Sequence, residues 1–255
     1  MEEMRTVFIF IGGTIFGSFY YTLALRTASG ELRESWKKAL FTSSRCPRCG
    51  AGIGGAYLVP LIGYLAAKGR CRSCGAGISS AYPFMEALYG FLALMLYFKF
   101  GLSFYFVAVF LLAGLALCIS TVDVKTMTIP NSLIAAFGLL SLYPVVLTNS
   151  PLESLYGLLL MSGFFITVLL IFPGSFGGGD VKFAAAIGLF LGLELAVVAL
   201  EASLISGAIV GIVYAVKTGK GLRSRIPFGP FLFIGMMTAI VYGREILVLY
   251  YKWFF

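Results

Sequence analysis

Residues 6–25 read TVFIFIGGTIFGSFYYTLAL, a run of twenty residues without a charged side chain. At 1.5 Å per residue, an α-helix of this length spans about 30 Å, which is the thickness of the hydrocarbon core of a bilayer. Polar sequence follows the run, with no small-residue cleavage site. We therefore expect a retained transmembrane helix and not a removed signal peptide.

The composition of the whole chain points the same way. Of its 255 residues, 60% are apolar and 12% are charged, against about 45–50% and 25% in an ordinary soluble domain. Seven further apolar segments lie at 84–100, 103–122, 133–148, 155–172, 181–193, 195–216 and 228–250. Because lipid admits only helices and closed barrels, we predict an all-α polytopic membrane protein with about eight transmembrane helices, of which the sixth is unusually short.

The basic residues predict how these helices are oriented. Residues 26–82 carry nine Lys or Arg and two acids, so the positive-inside rule places this loop in the cytoplasm and the amino terminus outside. With eight spans, the cytoplasmic side also receives Lys125, Lys182, Lys217, Lys220, Arg223 and Arg225. The net charge of +8 is thus explained by the topology of an inner (cytoplasmic) membrane protein, and we expect no nucleic-acid partner.

The ionisable side chains limit which catalytic groups this protein can use. The chain has no histidine, which excludes Ser-His-Asp triads and histidine metal catalysis. Its two aspartates are Asp123, in a turn before Pro130, and Asp180, which follows the glycines at 177–179. The topology brings both to the cytoplasmic edge of the membrane. Each alone could simply cap a helix, but the pair predicts a carboxylate dyad that shares one proton and activates water without a covalent nucleophile.

Two other classes of protein fit some of these features. A transporter or channel could use the same two aspartates to bind or relay a cation or a proton. Inverted repeats would favour that alternative, and we find none in the sequence. An adaptor with a metal-binding loop and a membrane anchor is the other alternative, but eight spans exceed what an anchor needs.

The loop between the first two spans carries a cysteine pattern. Cys46, Cys49, Cys71 and Cys74 form two C-x2-C pairs, each followed by a glycine. This pattern is typical of a zinc ribbon, in which four thiolates hold a structural zinc ion. The reducing cytoplasm argues against disulfides, although disulfide and iron–sulfur alternatives stay open. We predict three regions, namely a first helix at 1–25, a basic zinc-ribbon loop at 26–82 and a transmembrane core at 83–255 that carries both aspartates.

Taken together, these motifs resemble the type IV prepilin peptidase family, membrane aspartic peptidases of the GxGD type. The similarity runs along nearly the whole chain and rests on the order of its parts. These are Gly17-Ser18-Phe19 with Arg26, the two cysteine pairs, Tyr82-Pro83-Phe84-Met85-Glu86, Asp123 with Thr126, Met127 and Pro130, Gly177-Gly178-Gly179-Asp180-Val181-Lys182, and Pro227-Phe228-Gly229-Pro230-Phe231.

The resemblance implies an aspartic endopeptidase that removes the basic leader from prepilin or pseudopilin substrates of a type IV pilus or protein secretion system. It implies that Asp123 and Asp180 are catalytic. It also implies that an active-site loop contains Gly177, Gly178, Gly179 and Lys182.

The resemblance also implies N-methylation of the new amino terminus with S-adenosylmethionine, for which Glu86 is the candidate residue. An ion pair with a basic loop residue is the alternative role for Glu86. The chain departs from the family pattern at Tyr20 and Tyr21, and at Leu58-Val59-Pro60. Both departures lie in the half associated with methyl transfer, so the resemblance supports proteolysis more strongly than methylation.

Overall fold

The computed structural model describes residues 2–148, 150–219 and 226–254. Of the predicted cytoplasmic basic residues, Lys220, Arg223 and Arg225 lie outside this part of the chain. Within it, regular structure is helical apart from two isolated bridges, Arg45 to Gly52 and Arg70 to Gly77. The all-α prediction is confirmed. The chain forms two compact units, Met1–Phe106 and Val107–Phe255, while the predicted three-part division remains a prediction.

In the first unit, the cysteine loop lies between two long helices along the chain. They are α1 (Glu2–Ala28) and α5 (Ala81–Phe100), with α2 (Glu31–Glu34), α3 (Trp36–Phe41), a 3-10 turn (Gly55–Leu58) and α4 (Ile62–Ala66) between them. A Cβ atom at Gly13 would lie 2.8 Å from the Cβ of Ala93, so the glycine lets α1 and α5 approach closely. Beside this crossing, the buried Tyr20 ring stacks on Tyr89 at 5.7 Å.

The second unit contains α6 (Phe104–Thr126, which begins at the unit boundary), α7 (Asn131–Thr148), α8 (Pro151–Ile171), α9 (Gly178–Thr218) and α10 (Gly229–Phe254). Helix α9 packs against both α8 and α10. Six of the described helices across the chain are long and apolar enough to cross a membrane, and the Asn131–Tyr143 part of α7 is a shorter apolar helix. These helices confirm a polytopic membrane fold.

Helix α9 is broken at Gly192, where the backbone has φ 75° and ψ 176°. The Phe228 ring lies 4.8 Å from that of Phe176, two residues before α9 begins. A Cβ atom at Gly207 would lie 3.0 Å from the same Phe228 ring. A straight helix would separate residues 178 and 207 by about 44 Å. The chain must therefore reverse direction at Gly192.

The reversal makes α9 two antiparallel segments, 178–191 and 193–218. They correspond to the predicted sixth and seventh spans, so the described residues form eight apolar helical segments. The first segment is about 21 Å long, shorter than the hydrocarbon core. Gly192, between the two segments, permits a positive φ that other residues rarely adopt.

Close contact between α8 and α9 at this reversal generates a stability prediction. A Cβ atom at Gly157 would overlap the carbonyl oxygen of Gly188 and lie 2.7 Å from the carbonyl carbon of Gly192. We expect Gly157→Ala to lower the free energy of unfolding by about 1–3 kcal/mol, because backbone atoms would have to shift. Equilibrium unfolding in mixed detergent micelles, followed by circular dichroism, measures this change.

Gly163→Ala is the matched control. It lies on the same helix and has no atom within 4 Å of the added Cβ, so both variants gain the same helix propensity. Equal stability of the two variants would contradict the close crossing.

Candidate active site

Asp123 lies in the last turn of α6 and is only 4% exposed. Its Oδ2 accepts a hydrogen bond of 2.8 Å from the backbone amide of Gly229. The Ser120 hydroxyl reaches the Gly229 carbonyl at 3.0 Å, one turn earlier on α6. A Cβ atom at Gly229 would lie 3.1 Å from Oδ2 of Asp123. The backbone of Gly229 therefore holds the start of α10 against Asp123, and this close contact requires a residue without a side chain.

Asp180 lies in the first turn of α9, where the helix dipole favours a negative charge. Its Oδ2 accepts a hydrogen bond of 2.8 Å from the amide of Gly177. Its other oxygen, Oδ1, is buried and has no hydrogen-bond partner among the described residues. Buried polar atoms are nearly always paired, so an orphaned carboxylate oxygen is a feature that requires an explanation.

The fold brings the chain segments of these two aspartates into contact. A Cβ atom at Gly179, next to Asp180, would lie 2.9 Å from the Cβ of Ile129 in the loop that follows Asp123. Gly179 thus lets the start of α9 lie against the loop that follows Asp123, whereas a Cβ atom at Gly178 would meet nothing within 4 Å.

Lys182 contacts a side chain at the start of α7. Its Nζ donates a hydrogen bond of 3.0 Å to Oδ1 of Asn131 at the start of α7. Sequence reasoning placed Lys182 in the active-site loop but did not find Asn131. In the structure, Gly178, Gly179 and Lys182 lie on α9 and not in a loop, and only Gly177 precedes the helix. Lys182 links the N-terminal part of α9 to the helix that follows Asp123.

Four phenylalanines, Phe165, Phe176, Phe228 and Phe231, form an aromatic cluster at the start of α10. The Phe228 ring lies 4.8 Å from Phe176, 5.5 Å from Phe165 and 5.6 Å from Phe231, and Phe165 lies 4.8 Å from Phe176. The three pairs among Phe165, Phe176 and Phe228 are edge-to-face, an arrangement that is favourable beyond the area that it buries. The aromatic cluster thus holds the backbone beside Gly229 and beside Gly177, whose amides bind the two carboxylates.

The four cysteines of the loop converge in the first unit. Their sulfur atoms all lie within 4.8 Å of one another. The sulfur atoms of Cys46 and Cys74 are 3.8 Å apart, and those of Cys49 and Cys71 are 3.9 Å apart. These distances exclude disulfides in this structure. They match the separation of about 3.8 Å that tetrahedral bonds of about 2.3 Å to zinc would give.

Each cysteine pair is shaped by a tight turn. The amide of Gly50 donates to the Cys46 carbonyl at 2.9 Å, and that of Gly75 donates to the Cys71 carbonyl at 2.8 Å. Both glycines have positive φ, 71° and 70°, which favours glycine at these positions. Amides of the first turn lower the pKa of Cys46 to about 6. At Cys46 the turn therefore favours the thiolate form, which is the form that binds metal.

Glu86 is buried in the same unit, at 7% exposure. Its Oε2 accepts a hydrogen bond of 2.7 Å from the amide of Leu61, so the structure gives Glu86 a backbone partner. Leu61 has a φ of 62°, which is uncommon for a residue other than glycine. Glu86 also lines a cavity of about 910 Å³, together with Tyr57, Tyr64 and Tyr82.

Comparisons with known proteins identify the family of the chain. The family model described as Bacterial Peptidase A24 N-terminal domain matches residues 11–100, and that of the Type IV leader peptidase family matches residues 109–212. No solved structure matches the chain.

Curated relatives match over most of the chain. A prepilin leader peptidase/N-methyltransferase of Bacillus subtilis (strain 168) is 34% identical over 96% of this chain and 97% of its own. Relatives of the same description from Legionella pneumophila and Pseudomonas aeruginosa are 32% and 28% identical. Each covers 85% of this chain, and this chain covers 78% and 77% of theirs.

Proposed function

Because this chain belongs to the type IV leader peptidase family, we propose that Asp123 and Asp180 are its catalytic dyad. The protein is a multi-pass inner-membrane protease that cleaves prepilins. The observation that supports the dyad is the contact between the chain segments that carry the only two aspartates of the sequence. Each has one oxygen held by a glycine amide, and one of them keeps a buried oxygen without a partner.

The mechanism follows from the sharing of one proton between the two carboxyl groups. The ionised member takes a proton from water while the protonated member donates to the carbonyl oxygen of the scissile peptide bond. Water adds to the carbonyl carbon, and the tetrahedral intermediate collapses as the carbon–nitrogen bond breaks and the leaving amine takes the proton that the base removed from water. We assign Oδ1 of Asp180, the oxygen without a partner, to the reacting water.

The predicted substrate is a prepilin or pseudopilin whose basic leader is cut off on the cytoplasmic side. Asp123 ends a helix that is long and apolar enough to cross the membrane, so the dyad lies where such a helix leaves the bilayer. The basic residues of 26–82 support a cytoplasmic loop and an amino terminus outside. A site at this boundary suits a scissile bond next to an apolar segment.

The dyad is tested by isosteric substitution. We expect Asp123→Asn and Asp180→Asn each to lower the rate of leader cleavage by at least about a hundredfold, because each removes a proton donor or acceptor. Purified variants in lipid vesicles receive a prepilin, and mass spectrometry of the prepilin amino terminus measures cleavage. Glu194→Gln, an exposed carboxyl group on α9 beyond the reversal, should retain the rate. Substantial cleavage by either asparagine variant would refute the dyad.

The Gly229 contact gives a second test of the same site. An added methyl group at Gly229 would lie 3.1 Å from Oδ2 and 3.2 Å from Cβ of Asp123. We expect Gly229→Ala to lower kcat of cleavage by about tenfold or more with a smaller change in KM, because displacement of the carboxyl group disturbs chemistry more than binding. The kinetics of prepilin cleavage measure both constants.

Gly211→Ala is the matched control for Gly229→Ala. A Cβ atom there meets only Ile226, at an ordinary 3.8 Å. If both variants cleaved prepilin at the parental rate, Gly229 would not position Asp123.

A second activity, N-methylation of the new amino terminus, is proposed for the first unit. The support is the description of the relatives together with the cavity of about 910 Å³, which is large enough for a cofactor-sized ligand. Tyr57, Tyr64, Tyr82 and Glu86 would line the site of S-adenosylmethionine, which supplies an electrophilic methyl group when bound. Glu86 shapes the site by holding the Leu61 backbone. The mass spectra of the cleavage assay would show methylation as a separate increase in mass.

We also propose that Cys46, Cys49, Cys71 and Cys74 hold a structural zinc ion. Their sulfur separations fit a tetrahedral zinc site. We expect about one zinc per chain in protein purified without chelators, and a loss of most of that metal in Cys71→Ser. Elemental analysis measures the content. Cys118→Ser, which changes a buried cysteine of α6, should keep the metal. Less than half an equivalent in the parent would contradict the proposal.

A further inference from the structure

A short helix in the loop is fastened to the end of the first membrane helix. The Arg26 guanidinium, in the last turn of α1, donates to the carbonyl oxygens of Ala39 at 2.9 Å and Thr42 at 2.7 Å. Both carbonyls lie at the C-terminal end of α3, where backbone acceptors lack partners within the helix. Ala39 is only 2% exposed. Helix α3 is therefore folded back against α1 and held there by Arg26.

Arg26 also sets the depth of α3 in the membrane. It is the first charged residue after the uncharged run 6–25. Basic side chains that end such a run lie at the level of the lipid headgroups. Since two backbone carbonyls are bonded to its guanidinium, the C-terminal end of α3 lies at that level too.

Two large apolar side chains of α3 are not covered by the protein, since Trp36 is 57% exposed and Phe41 is 78% exposed. At 100° per residue they lie about 140° apart around the helix with Lys37 between them, and the Lys37 ammonium is 5.6 Å from the centre of the Trp36 ring. Tryptophan and phenylalanine are typical of the apolar face of helices that lie in the membrane interface, and a lysine beside them can lay its stem along apolar surface while its ammonium stays among the headgroups.

We propose that α3 is an interfacial helix that binds the leaflet from which α1 emerges. Trp36 and Phe41 enter the boundary between headgroups and acyl chains, and Lys37 contacts anionic headgroups. The partner is the lipid surface, because Arg26 holds the helix at the end of a membrane span and the helix lies in the loop 26–82, which carries nine of the 19 basic residues. This binding goes beyond the proposed peptidase and methyltransferase activities and does not depend on either.

The two tryptophans of the chain, Trp36 and Trp253, make the proposal testable by fluorescence. Trp253→Phe leaves Trp36 as the only tryptophan, and Trp36→Phe is the matched control that reports Trp253. The full-length variants are placed in vesicles of phosphatidylcholine and phosphatidylglycerol with lipids brominated either near the headgroup or near the end of the acyl chain. We expect Trp36 to be quenched at least about twofold more by the shallow label than by the deep label.

The other outcomes overturn the proposal. Quenching of Trp36 by aqueous acrylamide but not by brominated lipid would place α3 in water. Quenching by neither would place it against protein. For the headgroup contact, Lys37→Gln in the Trp253→Phe background should abolish any increase in lipid quenching that phosphatidylglycerol causes. An unchanged response would overturn the role of Lys37. Fluorescence reports neither cleavage nor methylation, so failure here is separable from failure of the proposed activities.

Discussion

A carboxyl group at the edge of a bilayer needs hydrogen-bond donors, and in this protein glycine amides supply them. The Gly229 amide holds Oδ2 of Asp123, and the Gly177 amide holds Oδ2 of Asp180. Main-chain donors of this kind bring no further charge into a medium where charges are costly. They also fix the direction of each carboxyl group, because the backbone that carries them is itself held by the aromatic cluster. The geometry of the dyad therefore depends on where two stretches of backbone are placed.

Glycine recurs because this placement needs very short separations. Gly179 allows the start of α9 to reach Ile129, and Gly157 allows α8 to reach the carbonyl oxygen of Gly188. In lipid there is little hydrophobic force between helices, so close packing of small residues carries much of the association. The break at Gly192 serves the same end, since it returns the chain to the level of Phe228 after about fourteen residues. A continuous helix would carry residue 207 far from the dyad.

Much of this arrangement can be predicted from the sequence, and the features that cannot be predicted have identifiable physical reasons. Uncharged runs predict the number of helical segments, and charge asymmetry predicts that Asp123 and Asp180 lie on one side of the membrane. The spacing of Cys46 and Cys49 likewise predicted that the cysteines would converge. The hydrogen bond from the Gly229 amide to Asp123 could not be predicted in this way. The donor is a backbone group 106 residues from its acceptor, and every residue except proline has the same backbone amide. A glycine between two prolines was the only signal.

The orphaned oxygen of Asp180 explains why so much packing surrounds this site. A buried acceptor without a donor costs about 1–3 kcal/mol, and such a cost persists only where the surroundings hold the group in place. Each aromatic pair of the cluster contributes about 0.5–1.5 kcal/mol beyond its buried area, and three such pairs join Phe165, Phe176 and Phe228. Their sum is of the same size as the cost. The cluster can therefore keep Oδ1 oriented without a protein donor, and a water molecule entering with the substrate would find its proton acceptor already positioned.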